Sequence, residues 1–349
     1  MFQTPFMRPT RSPREVFDWA VGQAEVCDRL GFTEYWIGEH ATMSYESIPN
    51  PELVIAAAAR GTDNIVLAPG AHLPAYHHPG TLALQVSWLT HVTQGRYILG
   101  VGAGAYPSDG AVRGLKDLSN NHKMMIESID IMQRIWQGKP FHYEGAFWKA
   151  GFPEAVDGHE WRDPRPYGGK VRLAMAGLSP NSPTLAYAGK NNYLPLSVYA
   201  GEAAIANHWE TYEAAAKEAG HAVDRSDLRV VRDVVVADSD AEAKKLAVEG
   251  GMGQAWLNYL LPVYKQFGLL QKMLPGHDLN DVDVDTLAEH VWIVGSPDTV
   301  TEKLASIQER TGGWGTTLVY GHDYTENPGP WNHSLELLTT EVAPKLQDA

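Results

Sequence analysis

The chain has 349 residues, with 42 acidic side chains against 28 basic ones and a formal net charge of −14, a balance that disfavours nucleic acid or an anionic membrane as its main partner. A single cysteine, Cys27, excludes an internal disulfide and a cysteine-based zinc site. Hydrophobic residues at 44% and charged residues at 20% describe an ordinary globular protein; with no apolar run of the roughly 18 residues a membrane span needs, no signal peptide and no lipidation motif, the expected setting is cytoplasmic.

Residues 1–6 read as the tail of a strand. Pro13 opens a helix to Leu30, with Phe17, Ala20, Val21, Ala24 and Cys27 recurring on one face, and Gly31 stops it. The apolar, aromatic run 32–38 is a buried strand that ends abruptly in Glu39-His40. A helix over 51–60, a strand over 64–69, a turn over 71–79, a helix over 80–93 and a strand over 96–101 follow. The glycine-rich piece 102–114 is expected to be a loop, and 120–136 a helix with Met125, Ile129, Met132 and Trp136 on one stripe. Residues 141–150 alternate as a hairpin and start an excursion that lasts to Gly169. Strands at 171–176, 193–198, 228–237 and 316–320 then alternate with helices at 183–189, 202–219 and 240–248, and a closing helix spans 331–343.

Eight strands alternating with helices predict a parallel sheet with helices outside it, and in about 350 residues the favoured form is a (β/α)8 barrel making up one domain. The alternative is an open, doubly wound sheet. Residues 141–169 and 250–290 are then insertions. The second mixes Trp256, Tyr259, Tyr264 and Phe267 with the breakers Pro262, Pro275 and Gly276, which fits either a lid over a site or an extra pair of core helices.

Barrel enzymes keep their chemistry at the carboxyl ends of the strands, so the ionisable and glycine-rich strand ends are the candidates. His40, beside Glu39, is the first, because an imidazole titrates near neutrality and suits acid or base work. At Gly70-Ala71-His72, small residues let the backbone approach a flat ligand. His72, His77 and His78 cluster with Tyr76, yet no His-Glu-x-x-His spacing accompanies them, and no metal is expected. The run from Gly100 through Gly102 to Tyr106 superficially matches a dinucleotide fingerprint, but Pro107, Ser108, Asp109 and Gly110 follow where a helix should begin. Those glycines are expected to make room for a ring system, with Tyr106 stacking on it or donating a hydrogen bond. At 176–183, Ser179 and Ser182 precede a helix start and are either anion contacts or simple caps.

Together these pieces resemble the bacterial luciferase-like flavin monooxygenases, and in particular the diketocamphane and limonene monooxygenase type. The likeness runs through Trp36-Ile37-Gly38-Glu39-His40, Gly70-Ala71-His72-Leu73, Thr93-Gln94-Gly95-Arg96-Tyr97, Gly100-Val101-Gly102, Val294-Gly295-Ser296-Pro297-Asp298-Thr299-Val300 and Gly315-Thr316-Thr317-Leu318 with His322-Asp323-Tyr324. The order and spacing of these motifs are specific, although no single one is decisive.

The resemblance implies a (β/α)8 barrel, commonly dimeric, that takes reduced FMN from a separate flavin reductase. It implies dioxygen as co-substrate, a C4a-peroxyflavin, and oxygenation of a hydrophobic carbonyl compound such as a cyclic or terpenoid ketone or aldehyde (Baeyer-Villiger type), or of an alkene. Within it His40 matches a histidine used as a catalytic base, Gly70 and Ala71 a pair joined by a cis peptide under the isoalloxazine, and Gly102 a position beside the reactive flavin carbon. Ser179 matches a serine that contacts the FMN phosphate, with Ser182 as a further candidate. Two departures stand out: a phosphate-binding arginine falls at Ala103, and the first strand is short. The competing expectations are an F420-dependent oxidoreductase on the same barrel and a flavin-binding protein without turnover.

Overall fold

In a computed structural model describing residues 1–4, 6–198 and 201–347, the eight expected strands are all present. They are β1 (Phe2–Gln3), β2 (Glu34–Ile37), β3 (Val66–Pro69), β4 (Ile98–Val101), β5 (Arg172–Gly177), β6 (Leu194–Ser197), β7 (Arg229–Arg232) and β8 (Thr316–Val319). Two parallel ladders, β1-β2-β3 and β8-β7-β6-β5-β4, account for them. Single parallel bridges, Leu67 with Tyr97 and Phe2 with Tyr320, close the two seams between the ladders. The result is a closed (β/α)8 barrel, and the open-sheet alternative falls.

The first stave is as short as the sequence implied. Pro5, inside the expected strand tail, lies outside the described residues. Its two-residue strand is nonetheless held from both sides, because Gly38 N donates to Gln3 O and Gly321 N to Phe2 O, each at 2.9 Å. The Met1 ammonium also donates to Glu34 O at 2.8 Å.

At the amino end of the barrel, Glu34 and Arg229 form a buried pair. Arg229 Nη2 lies 2.7 Å and Nε 2.9–3.1 Å from the carboxylate, which also accepts from Trp36 Nε1 at 2.9 Å. Trp36 fills the interior above this pair and lies against Gly100, where any Cβ would collide with the indole and with the Pro69 carbonyl.

Four features differ from the sequence expectation. The strand foreseen over 228–237 breaks at Asp233: Arg229–Arg232 is a barrel stave, whereas Val234–Val236 pairs in parallel with Ile293–Gly295 outside the barrel. A helix over Pro297–Thr311, capped by Ser296, fills a stretch the periodicity left unassigned. The glycine-rich loop contains a short helix, Pro107–Ala111. The closing helix starts earlier, at Pro328, and passes through a π turn at Leu338–Val342. The hairpin appears as expected, Phe141–Glu144 against Lys149–Phe152.

Cys27 is buried on the inner face of helix Pro13–Arg29, and burial pushes its thiol up to about 12, in keeping with a packing role. The insertion at 250–290 is helical. It buries Trp256 and Leu270 in the main core and leaves Leu257 and Phe267 exposed, so it is both core and cover. Among the described residues, no helix is long and apolar enough to cross a membrane.

Candidate active site

Glu39 and His40 follow β2, residues 70–72 follow β3, and Gly102 and Tyr106 follow β4. Seven of the nine candidate residues therefore stand together at the mouth opposite the Glu34–Arg229 pair, and Ser179 and Ser182, after β5, lie at the same end. The staves deliver them there because a parallel barrel points every strand's carboxyl end the same way.

The Gly70-Ala71 peptide is cis. Gly70 N donates to Ile37 O at 2.6 Å, His72 N to Gly100 O at 2.9 Å, and Gly102 N to His72 O at 2.9 Å, which ties the ends of β2, β3 and β4 into one ledge. Gly102 stands against Ala71 and Leu73: a Cβ there would lie 3.5 Å from the Ala71 Cβ and 3.4 Å from Leu73 Cδ2, in ordinary contact. A Cβ on Gly70 would meet the Phe2 ring at 2.9 Å. Beneath the ledge an apolar cavity of about 80 Å³ is lined by Gly70, Ala71, Gly100, Ala174 and Ala176 over Trp36.

Glu39 is buried with both oxygens occupied. Oε2 accepts from His72 Nδ1 at 3.0 Å and Leu73 N at 3.2 Å, and Oε1 from His77 Nε2 at 2.7 Å and Arg113 Nη2 at 3.4 Å. Burial alone would raise its pKa, but the hydrogen bonds from His72 and His77 outweigh that and hold it at about 2. Its charge is thus directed at the segment 72–77 rather than toward the mouth. The fold gathers Glu39, His72 and His77 where sequence spacing saw only a histidine cluster, and Arg113 supplies a fixed cation on the same carboxylate.

His40 lies between two carboxylates. Nδ1 is 3.0 Å from Asp109 Oδ2 and Nε2 is 3.2 Å from Glu46 Oε2. Nδ1 donates to Asp109, and the second carboxylate, facing Nε2 as a charge contact, favours the doubly protonated imidazolium. Burial opposes that charge, yet Glu46 and Asp109 prevail and raise the His40 pKa above its usual 6.5. The stabilisation this brings is fully present below the unfolded-state pKa and is lost as pH rises through the raised folded value. Asp109 is itself fixed by Ala41 N, Thr42 N and Thr42 Oγ1 at 2.6–3.1 Å. The site so arranged holds a proton ready rather than an empty base.

Tyr106 places its ring edge on His40, with centroids 5.1 Å apart, and receives Phe267 of the insertion on its other side at 6.1 Å. Tyr259 of the insertion donates to Glu46 Oε1 at 2.5 Å while stacking on Tyr45 at 5.2 Å. Burial raises the pKa of both Tyr106 and Tyr259, which keeps the hydroxyls protonated.

Ser179 and Ser182 stand farther round the rim, after β5. Ser179 is exposed and its carbonyl accepts from His208 Nε2 at 3.0 Å. Ser182 is buried, and its hydroxyl accepts from Leu185 N at 3.3 Å as the cap of helix Pro183–Lys190. Sequence reasoning missed Asp109, Glu46 and Tyr259, and also a buried pair at the ends of β7 and β8. In that pair His322 Nε2 donates to Asp233 at 2.8 Å, and the imidazole stacks on Phe6 at 5.4 Å. The only signal for Asp109 was an acid in a glycine-rich run beside a strand end; Glu46 and Tyr259 lay in stretches without periodicity.

The arrangement has parallels among known proteins. The family model described as "Luciferase-like monooxygenase" matches residues 1–313. A 3,6-diketocamphane 1,6-monooxygenase of Pseudomonas putida is 44% identical over 98% of this chain and 96% of its own length. A limonene 1,2-monooxygenase of Rhodococcus erythropolis is 31% identical over 92% and 79%. Among solved structures, the oxygenating constituent of 3,6-diketocamphane monooxygenase from the CAM plasmid of Pseudomonas putida, in complex with FMN, superposes with a TM-score of 0.95. It is 45% identical, covering 99% of this chain and 97% of the other.

Proposed function

This chain belongs to the luciferase-like monooxygenases, and from that premise we propose that it is the oxygenase of a two-component, FMN-dependent system. Its substrate is a hydrophobic compound, a cyclic or terpenoid ketone or aldehyde oxidised in the Baeyer-Villiger sense, or an alkene. The observation that carries this reading is the ledge of small residues, Gly70, Ala71 and Gly102, beside an imidazole at the mouth of a closed barrel.

The residues present fit a flavin. The ledge offers a flat, side-chain-poor surface over an apolar floor, which suits a planar ring. Gly70, Ala71, His72, Gly102 and Tyr106 would hold the ring system, while Ser179 and the start of helix Pro183–Lys190 would meet the phosphate. Reduced FMN, when bound, supplies the electrons with which dioxygen is activated and one oxygen atom is passed to the substrate.

The chain's own part is to position and protect. Glu39 fixes the segment carrying His72, so we assign it a positioning role rather than contact with substrate. His40 holds a proton between Asp109 and Glu46 and can surrender it from Nε2, which makes it the acid–base group. Tyr45, Tyr106, Tyr259 and Phe267 form an aromatic wall that keeps water from the reacting atoms.

Reduced FMN reaches the enzyme from a separate flavin reductase in the cytoplasm. A homodimer completes the reading. Helix Pro79–Val92 leaves Leu84, Trp88 and Val92 exposed at 44%, 57% and 39%, four residues apart on one face, and Leu53 is exposed on the neighbouring helix Pro51–Ala58. Such a stripe is suited to a second copy of itself. Trp88→Glu is expected to leave a monomer in sedimentation velocity; an unchanged sedimentation coefficient would assign the dimer to another face.

Oxygen-dependent lactone formation from a panel of cyclic ketones, with reduced FMN from a borrowed reductase, tests the activity. The F420 alternative is supported only at the level of fold and predicts deazaflavin binding instead. For the phosphate, Ser179→Asp is expected to weaken FMN about five- to tenfold, the order set by ~1 kcal/mol of like-charge repulsion near a wet rim. Fluorescence titration reads it, and an unaltered affinity would place the phosphate elsewhere.

A further inference from the structure

We propose that Glu46 and Tyr259 form a positioning relay through which the insertion at 250–290, when seated over the mouth, governs the proton held on His40; the inference rests on the oxygenase reading above. It concerns residues that touch neither ledge nor cavity floor but act through the imidazole.

The geometry is directional. The Glu46 carboxylate can only accept, so Tyr259, 2.5 Å from Oε1, must be the donor, while His40 Nε2 faces Oε2 at 3.2 Å as an ion-pair contact. One carboxylate thus joins two partners from distant parts of the chain: His40 from the end of β2 and Tyr259 from the helical insertion more than two hundred residues later. Glu46 and Tyr259 are both buried, where a carboxylate deprived of a donor is costly and becomes more basic. Tyr106 reaches the same place: its ring packs against His40, with centroids 5.1 Å apart.

The groups facing His40 are therefore Glu46 from the loop after β2, Asp109 from helix Pro107–Ala111, Tyr106 at the start of that helix, and the adjacent Glu39. Asp109 is tied to backbone and threonine donors of the same region. Glu46 alone of these carboxylates is hydrogen-bonded to the insertion. When Tyr259 donates, part of the Glu46 charge is drawn away from His40. When the insertion lifts, that charge returns to the imidazole and its proton is held harder. A seated insertion releases the proton more readily, which suits chemistry that should run only when the mouth is covered.

The test is the titration of His40 in the flavin-free full-length protein, followed by long-range ¹H–¹⁵N correlation of labelled histidine. Glu46→Gln keeps the shape and removes the charge, and is expected to lower the proton affinity of His40 about tenfold or more. Tyr259→Phe keeps the ring stacked on Tyr45 and removes only the donor, and is expected to raise it. The opposite signs are the signature, since a merely structural loosening would carry both variants toward the free-histidine value. Shifts in the same direction, or no shift in either variant, would overturn the proposal. An absence of oxygenation by the unaltered enzyme would count against the oxygenase reading alone, because the titration needs neither flavin nor substrate.

Discussion

Replacing His40 by alanine is expected to slow oxygenation about 10²- to 10⁴-fold, the range in which a positioned acid or base acts, while FMN affinity stays within a few-fold. The asymmetry follows from how the mouth is built. The ledge that faces the ring hangs on backbone bonds from Gly70 to Ile37, His72 to Gly100 and Gly102 to His72, none of which involves the His40 side chain. The imidazole, in contrast, is the one group among the described residues that bridges Asp109 and Glu46, at 3.0 and 3.2 Å. Without it the two carboxylates face a common space with no cation between them, and one takes up a proton that is then held in the wrong place. Product formation with an external reductase, read beside flavin-fluorescence titration and peroxide release, checks both halves. Turnover equal to that of the unaltered enzyme would remove His40 from the mechanism.

Arg229→Met should cost about 3–5 kcal/mol of stability, because it leaves Glu34 charged and buried with Trp36 Nε1 as its remaining side-chain donor. In a chain of this size that corresponds to a fall in Tm on the order of 10 °C. Adding Glu34→Leu should recover at least half the loss, since a buried ion pair and a well-packed apolar pair are often nearly equivalent. The pair lies at the amino end of the barrel, away from the mouth, so activity per folded molecule should survive in the double variant. Thermal unfolding of the two variants decides it: a single variant within about 1 kcal/mol of the parent would mean that water reaches Glu34.

The barrel was legible because its staves are short apolar runs bracketed by glycines and helix caps, and eight of them in alternation leave few topologies open. The break at Asp233 was not legible, because valines flank it on both sides and a single acidic residue does not by itself end a strand pattern. The kink comes from pairing with two different partners, a tertiary fact. At the site, Glu39, His40, Gly70 and Gly102 could be found because each is anomalous for the end of a buried strand. Asp109 could not: the Pro107–Gly110 run that ruled out a dinucleotide fold is a turn by composition, and its short helix exists to aim one carboxylate at His40. Glu46 and Tyr259 meet only in three dimensions. Ser182 read as an anion contact or a cap; its oxygen accepts from Leu185 N as a cap, a role that leaves its own O–H able to meet an anion.

The ladder of Val234–Val236 with Ile293–Gly295 has an architectural consequence. It stitches together, just outside the barrel wall, the two ends of the segment made of helix Asp240–Glu249 and the insertion, so that whatever hangs between them is anchored at a sewn neck. Loop-closure entropy is then met once, at the neck, and depends little on the length beyond it. The hanging piece is thereby an exchangeable module: another helical cap grafted at the same two roots would find the staves already closed, and with them the chance to accept a differently shaped molecule.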